Sequence, residues 1–121
     1  MIKLVYCIRR REDVSAEEFY RYWLEEHAPL VKSVAPEIGA CRYVQSHTIL
    51  PELNSLMLEG RGLAEPYDGI TEVWWDSREQ LDLGLSSEAG MAAGARLVED
   101  ESRFIDFSRS RVFFTEEHDI F

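Results

Sequence analysis

The chain has 121 residues with 23 acidic and 13 basic side chains, for a formal net charge of −10. This length suits one compact domain, so residues 1–121 are expected to form a single domain, and a hydrophobic fraction of 45% argues against disorder. The acidic charge disfavours nucleic acid and anionic membranes as partners, because both attract clustered Lys and Arg side chains.

A strand and a helix are predicted first. Residues 2–9 are rich in strand-forming side chains, and every second one points to the same face. Ser15 and Glu18 form a capping box, so a helix is expected to begin there. Pro29 disfavours helical angles at the residue before it, so the helix is expected to end near His27.

A second strand, residues 41–49, precedes a long connection. Three polar-tipped side chains share one face of this strand: Tyr43, Gln45 and His47. The connection, residues 50–66, contains two prolines and two glycines, and a short helical turn is expected at residues 53–58. Connections of this length in a compact domain are usually functional or flexible.

The remaining elements are a third strand, two helical pieces and a last strand. The third strand lies in residues 67–76 and opens with an Asp-Gly turn signal. A second capping box begins a helical region at residues 78–99, which is interrupted near Gly84. Asp100 is expected to cap a further turn, because acidic side chains suit a helix start. The last strand is expected in residues 108–115.

This order, β-α-β followed by β-α-β, predicts an α+β fold of the ferredoxin-like type. Such a fold has a four-stranded antiparallel sheet with helices on one face. In the last two strands, consecutive residues that point to opposite faces are both apolar, as with Val73 and Trp74 or Val112 and Phe113. Both sheet faces are therefore expected to be buried, which predicts a homodimer through the sheet faces.

His27 has two interpretations. On a helix it shares one side with Phe19 and Trp23, which places it at the end of the buried stripe. It is either a satisfied core histidine that caps the helix, or a general acid/base at the mouth of a pocket. The polar face of the second strand likewise either lines a cavity or lies in solvent at a strand end.

Other kinds of chemistry find little support in the residue pattern. Cys7, Cys41 and the histidines lack the spacing of metal sites, and no glycine-rich nucleotide loop or hydrolase motif is present. No metal or cofactor is therefore expected. The acidic residues Asp100, Glu101 and Asp106 are expected to cap helices and to pair with nearby arginines.

Segments that direct a chain into or across a membrane are not recognised. No apolar run approaches the roughly 20 residues of a membrane span. Lys3 and Arg9 flank only a short strand pattern at the N-terminus, so no signal peptide is predicted. A cytoplasmic location is therefore expected, and membranes are not expected as partners.

Four segments run in order along nearly the whole chain: IKLVYCIRRREDVSAEEFYRYWLEEHAPLV, YVQSH, YDGITEVWWDS and DESRFIDFSRSRVFFTEEH. The helix motif F-x-x-x-W-x-x-x-H-x-P-L and the strand motif D-G-x-x-E-x-W are their most specific parts. Together these segments resemble the EthD domain family of dimeric α/β-barrel proteins. The resemblance implies a ferredoxin-like domain whose sheets pair into a dimeric barrel.

For function, the resemblance implies a small-molecule-processing protein. The family takes its name from an ether-degradation gene cluster, and related dimeric barrels include cofactor-independent polyketide cyclases, decarboxylases and quinone-forming monooxygenases. Among the motif positions, three are predicted to be catalytic: His27, His47 and Tyr43. Four others are predicted to bind substrate: Trp23, Gln45, Trp75 and Asp68.

The hypotheses for function differ in whether the pocket does chemistry. The first is a cofactor-independent enzyme, an oxygenase or a cyclase- or decarboxylase-like protein. It would act on a hydrophobic aromatic or polyketide-like metabolite in a pocket between helices and sheet. The alternative is a non-catalytic small-molecule-binding or accessory component of an oxidoreductase system of the ether-degradation kind. A third is a structural dimer whose cavity is filled by side chains.

Overall fold

The computed structural model describes all residues from 1 to 121, which form a four-stranded antiparallel sheet with helices against one face. The strands are β1 Ile2–Ile8, β2 Arg42–His47, β3 Gly69–Trp75 and β4 Arg111–Thr115. Their order in the sheet is β2-β3-β1-β4, which is the ferredoxin-like arrangement of two split βαβ units. The α+β fold predicted from the sequence is therefore confirmed.

The helical segments are α1 Ala16–Tyr22, a π turn at Trp23–His27, α2 Ala28–Ile38, α3 Pro51–Arg61, α4 Arg78–Ser86, α5 Glu88–Glu101 and a 3-10 turn at Phe107–Arg109. None of the helices is both long and apolar enough to cross a lipid bilayer. Both predicted N-caps are present, since Ser15 accepts from the backbone N–H of Glu18 and Ser77 accepts from that of Gln80.

The first helix continues well past His27, so the helix end predicted there is wrong. Ala28 keeps helical angles (φ −58°, ψ −43°), and the chain runs through the π turn into α2. Pro29 lies in the first turn of α2, where the missing N–H of a proline is tolerated. Gly39 ends the helix instead, since its φ of 73° is a left-handed angle that glycine adopts without strain.

Three further boundaries differ from the sequence prediction. The connection between β2 and β3 holds a full helix, α3, of which no residue is buried. Asp100 lies inside α5 and caps no turn. Its carboxylate instead binds the side chains of Tyr22 in α1 and His27 in the π turn. Asp106 caps the 3-10 turn by accepting from the N–H of Ser108, and β4 consequently begins only at Arg111.

The hydrophobic core packs α1 and the π turn against the sheet. One buried cluster comprises Ile8, Phe19, Trp23, Phe104 and Ile105. Trp23 lies directly over Gly69 at the start of β3, where an added β-carbon would come within 2.5 Å of the indole ring. Glycine at this position lets the indole approach the strand backbone closely. This packing places the π turn, and with it His27, above the sheet.

Candidate functional site

A cavity of about 490 Å³ lies between the sheet and helices α2, α4 and α5. Fifteen of its 19 lining residues are hydrophobic, and its volume falls within the range of small-molecule sites. Four exposed apolar side chains mark where it opens to solvent: Leu85, Val98, Phe107 and Val112. The cavity is therefore suited to an apolar ligand.

A shallow depression of about 580 Å³ beside the 3-10 turn is different in character, since only two of its nine lining residues are hydrophobic. Its charged side chains pair with one another. Arg11 lies 2.7 Å from Asp13, and Arg109 lies 2.9 Å from Asp106. The buried polar groups of the protein lie instead in the apolar cavity.

Five polar-tipped side chains face the cavity, two of them tyrosines counted among its 15 hydrophobic residues: Tyr6, His27, Tyr43, Thr71 and Glu101. Tyr6 of β1 and Thr71 of β3 are directly paired across the two strands, and Tyr43 lies on the neighbouring strand β2. Alternation along each strand puts these three on the helix-facing side of the sheet. His27 and Glu101 approach from the helix layer, so the polar groups converge from both layers.

The His27 side chain lines the cavity and is only 5% exposed. One of its ring nitrogens is hydrogen-bonded, and the other is available to a ligand in the cavity. Its Nδ1 lies 2.7 Å from Oδ2 of Asp100, whose other oxygen accepts from the Tyr22 hydroxyl. A carboxylate only accepts, so Nδ1 carries the proton and Nε2 keeps its lone pair. Burial lowers the pKa of His27, and Asp100 offsets part of this shift. The imidazole is therefore neutral near neutral pH, which is the form that accepts a proton.

Glu101 is a carboxyl group in an apolar cavity, one residue beyond Asp100 on α5. Burial raises the pKa of Glu101 from 4.5 to about 7, while a polar contact with the Tyr6 hydroxyl lowers it and the charge of Asp100 raises it. No Lys or Arg lines the cavity, so no cation there favours the carboxylate. Near pH 7 a large fraction of Glu101 is therefore protonated, unlike an exposed glutamate.

Tyr43 is held by a chain of side chains that ends at His47. The Gln45 amide nitrogen donates to the Tyr43 hydroxyl oxygen and to the Trp23 carbonyl, each at 2.8 Å. The carbonyl partner fixes the orientation of the amide, so its oxygen accepts from Nε2 of His47 at 2.9 Å. The Tyr43 hydroxyl therefore accepts one hydrogen bond through its oxygen and keeps its own proton as a donor. Burial raises the pKa of Tyr43, which keeps this proton in place.

His47 does not line the cavity. Its ring is stacked between Trp23, at a centroid distance of 4.5 Å, and Tyr20, at 5.2 Å. Burial lowers the pKa of His47, so the ring is neutral near pH 7. The structure therefore brings His27 and Tyr43 to the cavity, and places His47 and Gln45 behind Tyr43.

Of the other predicted substrate-binding residues, Trp23 and Trp75 form parts of the cavity wall. Trp75 is fixed by its Nε1, which donates to the carbonyl of Ile38 at 2.8 Å. Asp68 lies outside the cavity, where its Oδ2 accepts from the backbone N–H of Arg10 at 2.8 Å. Asp68 thus joins the end of β1 to the start of β3.

The expectation that Asp100 and Glu101 cap helices and pair with arginines is only partly met. Asp100 lies 3.7 Å from Arg103 but binds His27 more closely, and Glu101 faces the cavity. A signal for Glu101 exists in the sequence, because Gly94, Leu97 and Glu101 follow helical spacing and all three line the cavity. That spacing becomes informative only once the cavity face of α5 is known.

Comparisons with known proteins agree with this architecture. The EthD domain profile matches residues 11–108, and no curated protein matches the sequence significantly. An EthD family protein from Bacillus halodurans C-125 has 19% identity and a TM-score of 0.65, with 98% of this chain and 99% of that chain covered. An EthD-like protein from Ralstonia eutropha JMP134 has 17% identity and a TM-score of 0.62, with coverages of 95% and 89%.

A third similar structure is described as a dimeric ferredoxin-like protein of unknown function, from Jannaschia sp. CCS1. It has 16% identity and a TM-score of 0.57, with 96% of this chain and 98% of that chain covered. At these identities, structural likeness establishes the fold alone. The profile match is a separate finding and spans most of the 121 residues. The chain therefore belongs to the EthD domain family.

Proposed function

We propose that this chain is a cofactor-independent enzyme that moves a proton on a hydrophobic aromatic or polyketide-like metabolite bound in the apolar cavity. The observation that carries the proposal is the arrangement of His27. A buried, neutral imidazole is oriented by Asp100 through Nδ1, and its Nε2 is left for the cavity. This is the arrangement of a general base held by a carboxylate.

The other residues have supporting roles in this proposal. Trp23 and Trp75 form apolar walls for a flat ligand. Tyr43 donates its hydroxyl proton to a ligand oxygen, and Gln45 and His47 hold Tyr43 in place. Cyclase- and oxygenase-like reactions both fit this arrangement, since each can begin with an acidic proton of the substrate removed by a base in a dry site.

The test is proton exchange on a model ketone that needs no cofactor. The protein is incubated with 2-tetralone, a flat aromatic ketone, in D₂O, and deuterium uptake at the α-carbon is followed by NMR. We expect wild type to accelerate uptake over buffer, and His27→Ala to lose at least about 100-fold of this acceleration. His118→Ala is the matched control, because His118 is an exposed histidine of the C-terminal tail. Equal acceleration by wild type and His27→Ala would contradict the assigned role of His27.

A non-catalytic binding or accessory role is the second candidate. The observation that favours it is the opening of the cavity, where four apolar side chains are exposed and no ionisable group is required for binding. In that case 2-tetralone should quench tryptophan fluorescence on binding, while deuterium uptake should not exceed the buffer rate. The two measurements together distinguish a carrier from an enzyme.

A homodimer through the open sheet face is proposed as the assembly. Val5 and Cys7 of β1 point away from the helices, and they pair with Phe113 and Ile70 of the adjacent strands. Phe113 is 48% exposed and Ile70 is 36% exposed, which leaves apolar surface on the face that no helix covers. A similar structure, that from Jannaschia, is described as dimeric.

A further inference from the structure

We propose that Glu101 is a second catalytic residue, which donates a proton to the carbonyl oxygen of an enolisable ketone while His27 removes the α-proton. This inference rests on the proposed function and extends it. It adds a binding site for the substrate oxygen, formed by Glu101 with Tyr6 and Tyr43, and it names the substrate class as hydrophobic ketones that carry an α-proton.

The end of α5 brings the two groups into one site. Asp100 binds Nδ1 of His27, and the next residue, Glu101, lines the cavity that His27 also lines. Asp100 and Glu101 leave the helix from consecutive positions, and the charge of Asp100 acts on the Glu101 carboxyl. Tyr6 lies against Glu101, and it is paired with Thr71 on the sheet below.

The surroundings of Glu101 favour the protonated acid. The titratable groups that face the cavity with it are Tyr6 from β1, Tyr43 from β2 and His27 from the π turn. All three are neutral near pH 7, because burial raises the pKa of both tyrosines and lowers the pKa of the histidine. Asp100 adds a negative charge next to Glu101 on its own helix, which also opposes ionisation.

The chemical step is balanced without a further reactant. The α C–H bond breaks as its proton moves to Nε2 of His27, and the bonding pair forms the C=C bond of the enol. The carbonyl π pair moves to oxygen, which takes the proton of Glu101. In the return step the enol oxygen gives its proton back to Glu101, and His27 returns a proton to carbon.

The same environment selects against anionic ligands. No Lys or Arg lines the cavity, so a ligand carboxylate would be buried without a cation and beside Glu101. A neutral ketone needs only a hydrogen-bond donor at its oxygen, which a protonated carboxyl supplies.

The experiment compares Glu101→Gln with wild type in the 2-tetralone exchange assay from about pH 5 to pH 9. The wild-type exchange rate should pass through a maximum below pH 7. The rate should fall on the acid side as His27 is protonated, and on the alkaline side as Glu101 ionises near pH 7. Glu101→Gln should be at least about 10-fold slower at pH 6, in keeping with the loss of one acid–base catalyst, and it should lack the alkaline fall. Glu99→Gln, an exposed glutamate on the same helix, is the matched control.

A binding measurement makes the outcome independent of turnover. The affinity of wild type for 2-tetralone, measured by tryptophan fluorescence, should weaken above pH 7, whereas that of Glu101→Gln should stay constant because the amide remains a donor. If His27→Ala abolishes exchange while Glu101→Gln keeps the wild-type rate and alkaline fall, this inference fails and the proposed function stands. If His27→Ala exchanges like wild type, the proposed function fails, and loss of the pH dependence of binding in Glu101→Gln still supports an oxygen site.

Discussion

Two adjacent residues of α5 give the cavity its acid–base character. Asp100 directs its carboxylate to His27, and Glu101 directs its carboxyl to the cavity and Tyr6. Neighbouring side chains on a helix point roughly 100° apart. The C-terminal end of α5 can therefore direct Asp100 to His27 and Glu101 to the cavity. Burial shifts the two titrating groups in opposite directions, lowering the pKa of His27 and raising that of Glu101. Both are consequently neutral in the same pH range.

The stability of the protein should show the ionisation of Glu101. Because its folded-state pKa is raised from 4.5 to about 7, its stabilising contribution is complete below pH 4.5 and is lost as pH rises through 7. Between pH 5 and pH 8, wild type should lose about 2–3 kcal/mol of unfolding free energy more than Glu101→Gln does. Urea denaturation at the two pH values measures the difference.

The contributions of the other titrating groups to the free energy of unfolding cancel in this comparison, because both proteins contain these groups. His27 acts with the opposite sign, since its lowered pKa reduces stability as pH falls below 6.5, but it does so in both proteins. Glu99→Gln should keep the pH dependence of wild type, because Glu99 is exposed. The same loss in wild type and Glu101→Gln would show that Glu101 titrates like an exposed glutamate.

Among the elements, α5 and α3 differ in the surroundings of their glycines. Gly94 of α5 lines the cavity, and an added β-carbon there would meet no atom within 4 Å. Gly60 of α3 has the same free space, but it lies on a helix with no buried residue. The cavity therefore owes part of its volume to the absence of a side chain at Gly94.

Filling that space should remove binding without unfolding the protein. Gly94→Leu places a side chain in the cavity, and it should weaken 2-tetralone binding at least about 10-fold, because several apolar contacts of the ligand are displaced. Leucine is also a better helix former than glycine by about 1 kcal/mol, so the variant should fold. Fluorescence titration measures the affinity, and circular dichroism checks the fold. Gly60→Leu should bind like wild type, and unchanged affinity in Gly94→Leu would place the ligand elsewhere.

At the scale of the whole molecule, the helices cover only one side of the sheet. The other side carries apolar side chains such as Phe113 alongside ion pairs such as Lys3 with Glu72 at 2.7 Å. A sheet in a small domain is usually covered on its apolar face, and in the proposed homodimer a second copy would provide this cover by two-fold symmetry. Phe113 is therefore expected near the centre of a dimer interface.

Sedimentation equilibrium at micromolar concentration tests this assembly. Wild type should sediment at twice the chain mass of 14.0 kDa. Phe113→Glu should shift the species toward 14.0 kDa, because a buried charge without a partner disfavours the interface. Leu83→Glu replaces a comparably exposed apolar residue on α4, and it should leave the dimer intact. A monomeric wild type would exclude the sheet-face dimer.

Local patterns were sufficient for much of the architecture. Alternation located β1 and β2, the Asp-Gly turn signal located the start of β3, and the serine caps at Ser15 and Ser77 located two helix starts, because all these signals depend on neighbours in sequence. Helical spacing also placed Phe19, Trp23 and His27 on one buried side. Pro29 was misleading, because its effect depends on whether a π turn precedes it and whether the helix beyond it is packed.

The partners of the polar side chains could not be read in the same way. Asp100 is 73 positions from His27, and Gln45 is 22 positions from the Trp23 carbonyl that orients its amide. The pKa of Glu101 depends on how much apolar surface the folded chain places around it, which no sequence window contains. The order of elements thus follows from local physics, whereas the proposed acid and base are identified by burial and long-range contacts, which exist only once the helices have closed over the sheet.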